Sequence, residues 1–188
     1  MVIALNKPYG VLSKFTDAEG RPTLADLVRV PGVYPVGRLD MDSEGLLLLT
    51  DDARLSRRLT DPRFEHPRTY WVQVEREPGP DALAALRGGV AIQGRLTAPA
   101  GVRVIPEPSL WERPVPVRFR KTVPTCWLEI VLREGRNRQL RRMGAAVGHP
   151  VLRVVRVAVG GLLLGDLAPG AWRRLGRADL ANLASDLR

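Results

Sequence analysis

Residues 36–52 read Val36-Gly37-Arg38-Leu39-Asp40-Met41-Asp42-Ser43-Glu44-Gly45-Leu46-Leu47-Leu48-Leu49-Thr50-Asp51-Asp52. Four consecutive leucines behind a knot of carboxylates and a glycine predict a buried strand entered through a sharp polar loop. A side chain on such a loop is held by the strand behind it, so the loop is a rigid place for chemistry. The spacing Asp40-x-Asp42-x-Glu44-Gly45 imitates the opening of a calcium loop. The ninth position of that loop would be Leu48, which has no side-chain oxygen, and the twelfth would be Asp51 where a bidentate Glu is needed. Neither flank has the helical period of a calcium hand. In the reading that remains, one carboxylate is chemical and its neighbours shape the turn.

Charge sets the context for that carboxylate. The 188 residues carry 29 basic and 20 acidic side chains, a formal charge of +9, and only Lys7, Lys14 and Lys121 of the basic residues are lysines. Arginine's planar fork binds phosphate bidentately and stacks on bases. A GC-rich genome would also raise the arginine count, but it does not explain clustering, and Arg133, Arg136, Arg138, Arg141, Arg142, Arg153 and Arg156 fall within 24 residues. One cysteine and two distant histidines, His66 and His149, build neither a disulfide nor a zinc site, so no metal is expected. Met1 to Leu5 run straight into Asn6-Lys7-Pro8, with no basic leader and no apolar run of about 18 residues, so the expectation is a cytoplasmic protein with no membrane contact.

Outward from the leucines, residues 2 to 5 predict a strand that Asn6-Lys7-Pro8-Tyr9-Gly10 breaks with a turn. Residues 15–21 read as an exposed loop near the cleft, and Thr23 caps a short helix from Leu24 to Arg29. Asp52 caps a helix through Leu59 that offers Arg54, Arg57 and Arg58 to solvent or RNA. Residues 68–75 alternate and carry two aromatics, so they form a strand with Tyr70, Val72 and Val74 on one face. Residues 79–87 predict a helix, and Val102 to Ile105, Val115 to Phe119 and Cys126 to Leu132 predict short strands of antiparallel type. Glu134 to Met143 leaves a strand and opens a helix capped by Asn137; Leu140, Met143 and Val147 share one face, which turns Arg138, Arg141 and Arg142 outward as a phosphate-binding surface. Residues 149–157 form a further strand, and residues 179–187 a terminal helix with Leu180, Leu183 and Leu187 in one stripe.

Three stretches carry a family resemblance. Gly37, Arg38, Leu39, Asp40, Ser43, Gly45, Leu46 to Leu49, Thr50 and Asp52 match G-R-L-D-x-x-[ST]-x-G-L-L-L-L-T-x-D; Asn6 to Gly10 match N-K-P-x-G; Glu134 to Met143 match E-G-[RK]-N-R-Q-[VIL]-R-R-M. Over nearly its whole length the chain resembles one group of ribosomal pseudouridine synthases, made up of type A, which acts on small-subunit RNA, and types B, E and F, which act on large-subunit RNA. In layout it is most similar to type E, because only five residues precede Asn6 and leave no room for the S4-type RNA-binding domain of other members. The resemblance implies an α+β pseudouridine synthase fold: a mixed, largely antiparallel central sheet flanked by helices, with a basic active-site cleft. One catalytic domain spanning residues 1–188, or two small lobes sharing the sheet, would hold it. It implies Asp40 as the catalytic residue, Tyr70 against the reacting base although the usual K-x-Y lysine is Arg68 here, and Arg136 as the ion-pair partner of Asp40. It further implies RNA contacts from Arg38, Lys7, Arg138, Arg141 and Arg142. The partner implied is large-subunit ribosomal RNA, and the enzyme implied is a monomer.

Isomerising uridine breaks the N1 glycosidic bond, turns the uracil and joins C5 to C1′. Nothing enters or leaves, so no cofactor is implied. The carboxylate must begin ionised, which a neighbouring cation favours by offsetting desolvation, and the base must be flipped out of any helix. The residues leave two routes open, attack at C1′ or removal of the C2′ proton. A non-catalytic ribosomal RNA-binding or ribosome-assembly protein would explain the charge equally well, but gives no reason for an acidic residue amid an RNA-attracting surface. A hydrolase using Asp40 and Asp42 as acid and base suffers from their adjacency in one turn.

Overall fold

A computed structural model describes residues 1–118 and 120–184. The strands are β1 (Val2–Lys7), β2 (Tyr34–Pro35), β3 (Glu44–Thr50), β4 (Arg68–Glu75), β5 (Ala91–Ile92), β6 (Arg95–Leu96), β7 (Gly101–Ile105), β8 (Thr125–Leu132), β9 (Val151–Val159), β10 (Leu162–Leu163) and β11 (Trp172–Arg174). The helices are α1 (Ala53–Thr60), α2 (Pro80–Gly88), α3 (Gln139–Ala146) and α4 (Arg177–Ala184). The main sheet runs β11-β1-β3-β9-β4-β8-β7, with β2 added to β3 and β10 to β9. Every pairing is antiparallel except β3 with β9, which is parallel. The chain is therefore α+β with a mixed, largely antiparallel sheet.

The leucine run becomes the middle of this sheet because both faces of β3 are covered. Leu46 and Leu48 pack with Val2, Ala4, Leu59 and Val155, while Leu47 and Leu49 pack on the other side with Ile3, Leu5, Leu24 and Val33. Each of these leucines is at most 1 % exposed. Burying each stabilises the fold by roughly 1.5–3 kcal/mol before chain entropy is counted. A third cluster, with Val72, Leu86, Leu128, Leu140 and Met143, seats α2 and α3 on β4 and β8. Gly45 lies opposite Arg156 in the β3–β9 pairing at φ +103, and a Cβ there would run into the Arg156 backbone. The two parallel strands approach this closely only because the residue is glycine.

Several local expectations hold in detail. Asp52 caps α1, accepting from the amides of Arg54 at 2.8 Å and Leu55 at 3.0 Å, and β4 spans the predicted residues 68–75. Others change. The helix after Thr23 is a single 3-10 turn, Leu24–Asp26, closed by a capping box with Asp26. Residues 115–118 form no strand: they belong to a proline-interrupted segment between β7 and β8 whose anchor lies elsewhere, as described below. Phe119 and Leu187 lie outside the described residues. No helix among the described residues is long and apolar enough to cross a membrane.

Candidate active site

The loop that feeds β3 is fixed by the turn that follows β1. The Gly10 amide donates to the Met41 carbonyl at 2.8 Å, and the Ser13 hydroxyl donates to the Leu39 carbonyl at 2.7 Å while accepting from the Leu39 amide at 3.1 Å. Lys7 ties the turn from inside. Its ammonium donates to the Pro8 and Val11 carbonyls at 2.9 and 2.8 Å. The residue is 0 % exposed. Burial pulls its pKa from 10.5 down to about 8, against the opposing pull of Glu44, Asp42 and Asp40. Lys7 is thus no RNA contact, contrary to the expectation from the motif: β1 continues through it in register with Gly45, so its side chain stays in the interior.

Three carboxylates at alternate positions meet three fates. Glu44, 0 % exposed, accepts from Arg153 Nε and Nη2 at 2.9 Å each and from the Trp111 indole at 2.8 Å. Asp42 accepts a bidentate pair from Arg138 at 3.1 and 3.0 Å and has Arg141 at 3.1 Å. Burial alone would raise the Asp42 pKa, but the Arg138 hydrogen bonds and the charges of Arg141 and Arg138 overcome it and hold the carboxyl below the usual range. Asp40 is different. Its side chain, 30 % exposed, has one ion pair, to Arg138 at 3.7 Å, and accepts no hydrogen bond among the described residues.

The arginine that meets Asp40 is therefore Arg138 and not Arg136, which corrects the expected pairing. Arg136 Nε donates to Glu134 at 3.3 Å, and its two terminal nitrogens donate to the carbonyls of Arg95 and Leu96 in the β5–β6 hairpin. Its backbone amide bonds Gln139 Oε1 at 3.0 Å, and Gln139 in turn donates to Glu134 at 2.7 Å. The cause is backbone conformation. Arg138 occupies the N-cap of α3 in the left-handed region, φ 51, and makes no capping bond with its side chain. Asn137, the expected cap, instead accepts from Arg142 at 3.1 Å. The left-handed kink swings Arg138 over the carboxylate loop. It also undoes the expected outward face of arginines: Arg141, its side chain 17 % exposed, donates to the Asp42 and Val151 carbonyls at 2.9 and 3.3 Å. Burial lowers its pKa. Arg142 is half-buried, and only Arg138 of the three is exposed.

Asp40 opens on a concavity of about 410 Å³ shared with Arg38, Arg68, Tyr70, Val154, Arg136 and Arg138. Tyr70 stands on β4 opposite Arg156 of β9 and packs between two of the core clusters. Arg156, 4 % exposed, donates from Nε to the Leu46 carbonyl at 2.6 Å. Burial lowers its pKa. Arg38 is exposed and makes no side-chain hydrogen bond or ion pair among the described residues, and neither do Arg54, Arg57 and Arg58 of α1. The structure thus brings together Asp40, Tyr70, Arg38, Arg136, Arg138 and Arg141 at one cleft, and Lys7 is not part of its lining.

Sequence reasoning missed the Glu44–Arg153–Trp111 cluster. Arg153 appeared only as one of a basic group, and no local signal joins Trp111 to a glutamate 67 positions away. Arg113 completes this cluster, 4.0 Å from Glu44 and 4.3 Å from the centre of the Tyr9 ring. The segment between β7 and β8 is therefore pinned under the carboxylate loop.

Comparison with known proteins identifies the family. The family model for RNA pseudouridylate synthase matches residues 1–146. The chain is 60% identical over 172 residues to the ribosomal large subunit pseudouridine synthase E of Xanthomonas axonopodis pv. citri, covering 90% of each chain. To the protein of the same name from Vibrio vulnificus it is 55% identical over 174 residues, covering 93% of this chain and 74% of that one. A pseudouridylate synthase crystal structure superposes with a TM-score of 0.81 at 28% identity, covering 97% of this chain and 73% of that one.

Proposed function

Because this chain belongs to the RNA pseudouridylate synthase family, we propose that it isomerises a specific uridine of large-subunit ribosomal RNA, with Asp40 as the catalytic carboxylate. The observation that carries the assignment is the state of that side chain. Of three neighbouring acids, Asp42 and Glu44 are hydrogen-bonded by arginines and an indole, while the Asp40 carboxylate, paired with Arg138 at 3.7 Å, accepts no hydrogen bond among the described residues and lines one cleft with Tyr70. A protein that only bound RNA would gain nothing from an uncommitted carboxylate among cations, since it repels phosphate.

In this reading the flipped uracil enters the cleft and lies on Tyr70. Asp40 acts at the sugar, either on C1′ or on the C2′ hydrogen; N1–C1′ breaks, the base turns, C5–C1′ forms, and the proton lost from C5 is balanced by one gained at N1. Arg138 keeps a positive charge beside the acting carboxylate. Arg38, uncommitted at the cleft mouth, fills the gap left by the base or holds its displaced backbone. The large-subunit target comes from the names of the relatives. We expect it to work as a monomer, in the cytoplasm where ribosomal RNA is modified.

The test is to incubate the purified protein with transcribed large-subunit ribosomal RNA and map pseudouridine. One new pseudouridine with the wild type and none with Asp40→Asn is the expected result. Modification of small-subunit RNA alone would move the substrate, and equal turnover by both proteins would overturn the role of Asp40.

A further inference from the structure

A second concavity, of about 650 Å³, meets the first along Arg38, Leu39, Asp40 and Arg138, and is walled on its far side by Tyr9, Lys14, Arg21 and Met41. We propose that it receives the nucleotide adjoining the target uridine in the RNA strand, its base against Tyr9 and its phosphate among Lys14, Arg21 and Arg38. This rests on the functional reading above and deepens it.

Three observations distinguish this hollow from an ordinary surface dent. First, its cations are held in place. Asp17, its side chain 2 % exposed, accepts from Lys14 at 2.6 Å and from Arg21 Nε and Nη2 at 2.9 Å, which fixes both at the wall. The lining carries Lys14, Arg21, Arg38 and Arg138 against Asp40 and Asp42, with Asp17 and Glu19 pairing Lys14 and Arg21 from just outside it, so that Arg38 is the cation of the four with no ion pair among the described residues. Of the two lining acids, Asp42 is already answered by arginines. Second, the aromatic wall is rigid. Tyr9 belongs to the turn that donates to Met41, and its ring is backed by the guanidinium of Arg113, whose side chain is 6 % exposed and lies 4.3 Å from the ring centre. An aromatic so held is a stacking platform for any base, and a fixed cation is a seat for phosphate. Third, the position is forced by the chain of the ligand. A uridine seated on Tyr70 leaves its strand to continue past Asp40 and Arg38, and this concavity opens there. Its volume suits one nucleotide.

The experiment begins from the uridine that wild-type protein modifies in transcribed large-subunit ribosomal RNA. Synthetic RNA fragments spanning that uridine are made with an abasic ribonucleotide at the 5′ neighbour, at the 3′ neighbour, or three positions away. At one of the two neighbours the KM of wild-type protein should rise about tenfold, the loss expected for one stacked base, with kcat changed less than about twofold. The distant abasic site should have no effect. Tyr9→Leu should show the same KM rise on the intact fragment and little further loss on the sensitive abasic one, because both changes remove one contact. If neither neighbour matters, or if the two losses multiply in full, the inference falls. Should Tyr9→Leu fail to fold, the abasic series with wild-type protein still decides. A wild-type protein that makes no pseudouridine in any RNA overturns the functional reading, and this inference with it; activity indifferent to both neighbours overturns this inference alone.

Discussion

Asp40 and Glu44 lie four residues apart on one loop and strand, and they are opposites. Glu44 is sealed from solvent and spends both oxygens on Arg153 and Trp111. The Asp40 carboxylate is part-exposed, accepts no hydrogen bond among the described residues and has one ion-pair partner there, Arg138 at 3.7 Å. A buried carboxylate with every lone pair engaged is a structural strut, because moving its charge would strand its partners. A carboxylate beside a cleft with a cation near but not bonded can turn its oxygens on a substrate. On the proposed function, this difference is what singles out Asp40 among the acids of a crowded motif.

The largest effects should separate the pair. Asp40→Asn keeps shape and removes the ionisable group, so turnover should fall by about 10²–10⁴-fold, while the thermal midpoint stays where it was and RNA affinity holds. Glu44→Gln should do the reverse. It leaves Arg153 buried against a neutral amide, and breaking a buried pair costs about 3–5 kcal/mol. That lowers the thermal midpoint by roughly 10 °C, at about 2–4 °C per kcal/mol for a chain of this size. Calorimetry and single-turnover rates on the same preparations check both. A Glu44→Gln protein as stable as wild type but inactive would erase the contrast.

The next effect tests which arginine serves the chemical carboxylate. Arg138→Ala removes the one ion pair that Asp40 makes among the described residues and the bidentate bond to Asp42, so kcat should fall by about tenfold, a modest loss because the pair is partly exposed. Arg136→Ala should reduce kcat less and act instead on the β5–β6 hairpin. Amide exchange at residues 91–96 should speed up, and stability should drop by about 1 kcal/mol. The opposite ranking of the two rates would restore Arg136 as the partner.

That choice marks where the sequence stopped being legible. The leucine strand, strand β4 and the Asp52 cap were readable because each is local: a two-sided apolar run, an alternation, an acid before a helix. Asp40 and Tyr70 were readable through the motif that places them. Which arginine reaches Asp40 was not, because it depends on a left-handed backbone at Arg138, a conformation few non-glycine residues adopt, and on carbonyls some forty positions upstream that capture Arg136. The Trp111–Glu44 bond was equally silent, since prolines around it read as punctuation and the contact spans the fold. Lys7 misled for a related reason: a lysine beside a turn reads as surface until the strand register carries it inside.

Lys7 supplies the smallest effect, and it sharpens the comparison because the same acids act on it. Its native pKa of about 8 lies below its ordinary 10.5, so between those values the unfolded chain holds a proton that the native state has released. Stability then rises with pH across that window, and below about 8 the native state bears the cost of a buried charge. Lys7→Met removes that charge but leaves the Pro8 and Val11 carbonyls without their donor, two opposed effects whose sum at pH 7 carries no clear sign. The pH trend does carry one. Measured by urea unfolding from pH 7 to pH 10, wild type should gain stability relative to Lys7→Met, and a difference independent of pH would mean that the charge is fully compensated in the native state. Glu44, the foremost acid raising the Lys7 pKa, gives the control. In a Glu44→Gln background the window should open at lower pH, and if it does not move, Glu44 supports the loop through Arg153 and Trp111 alone.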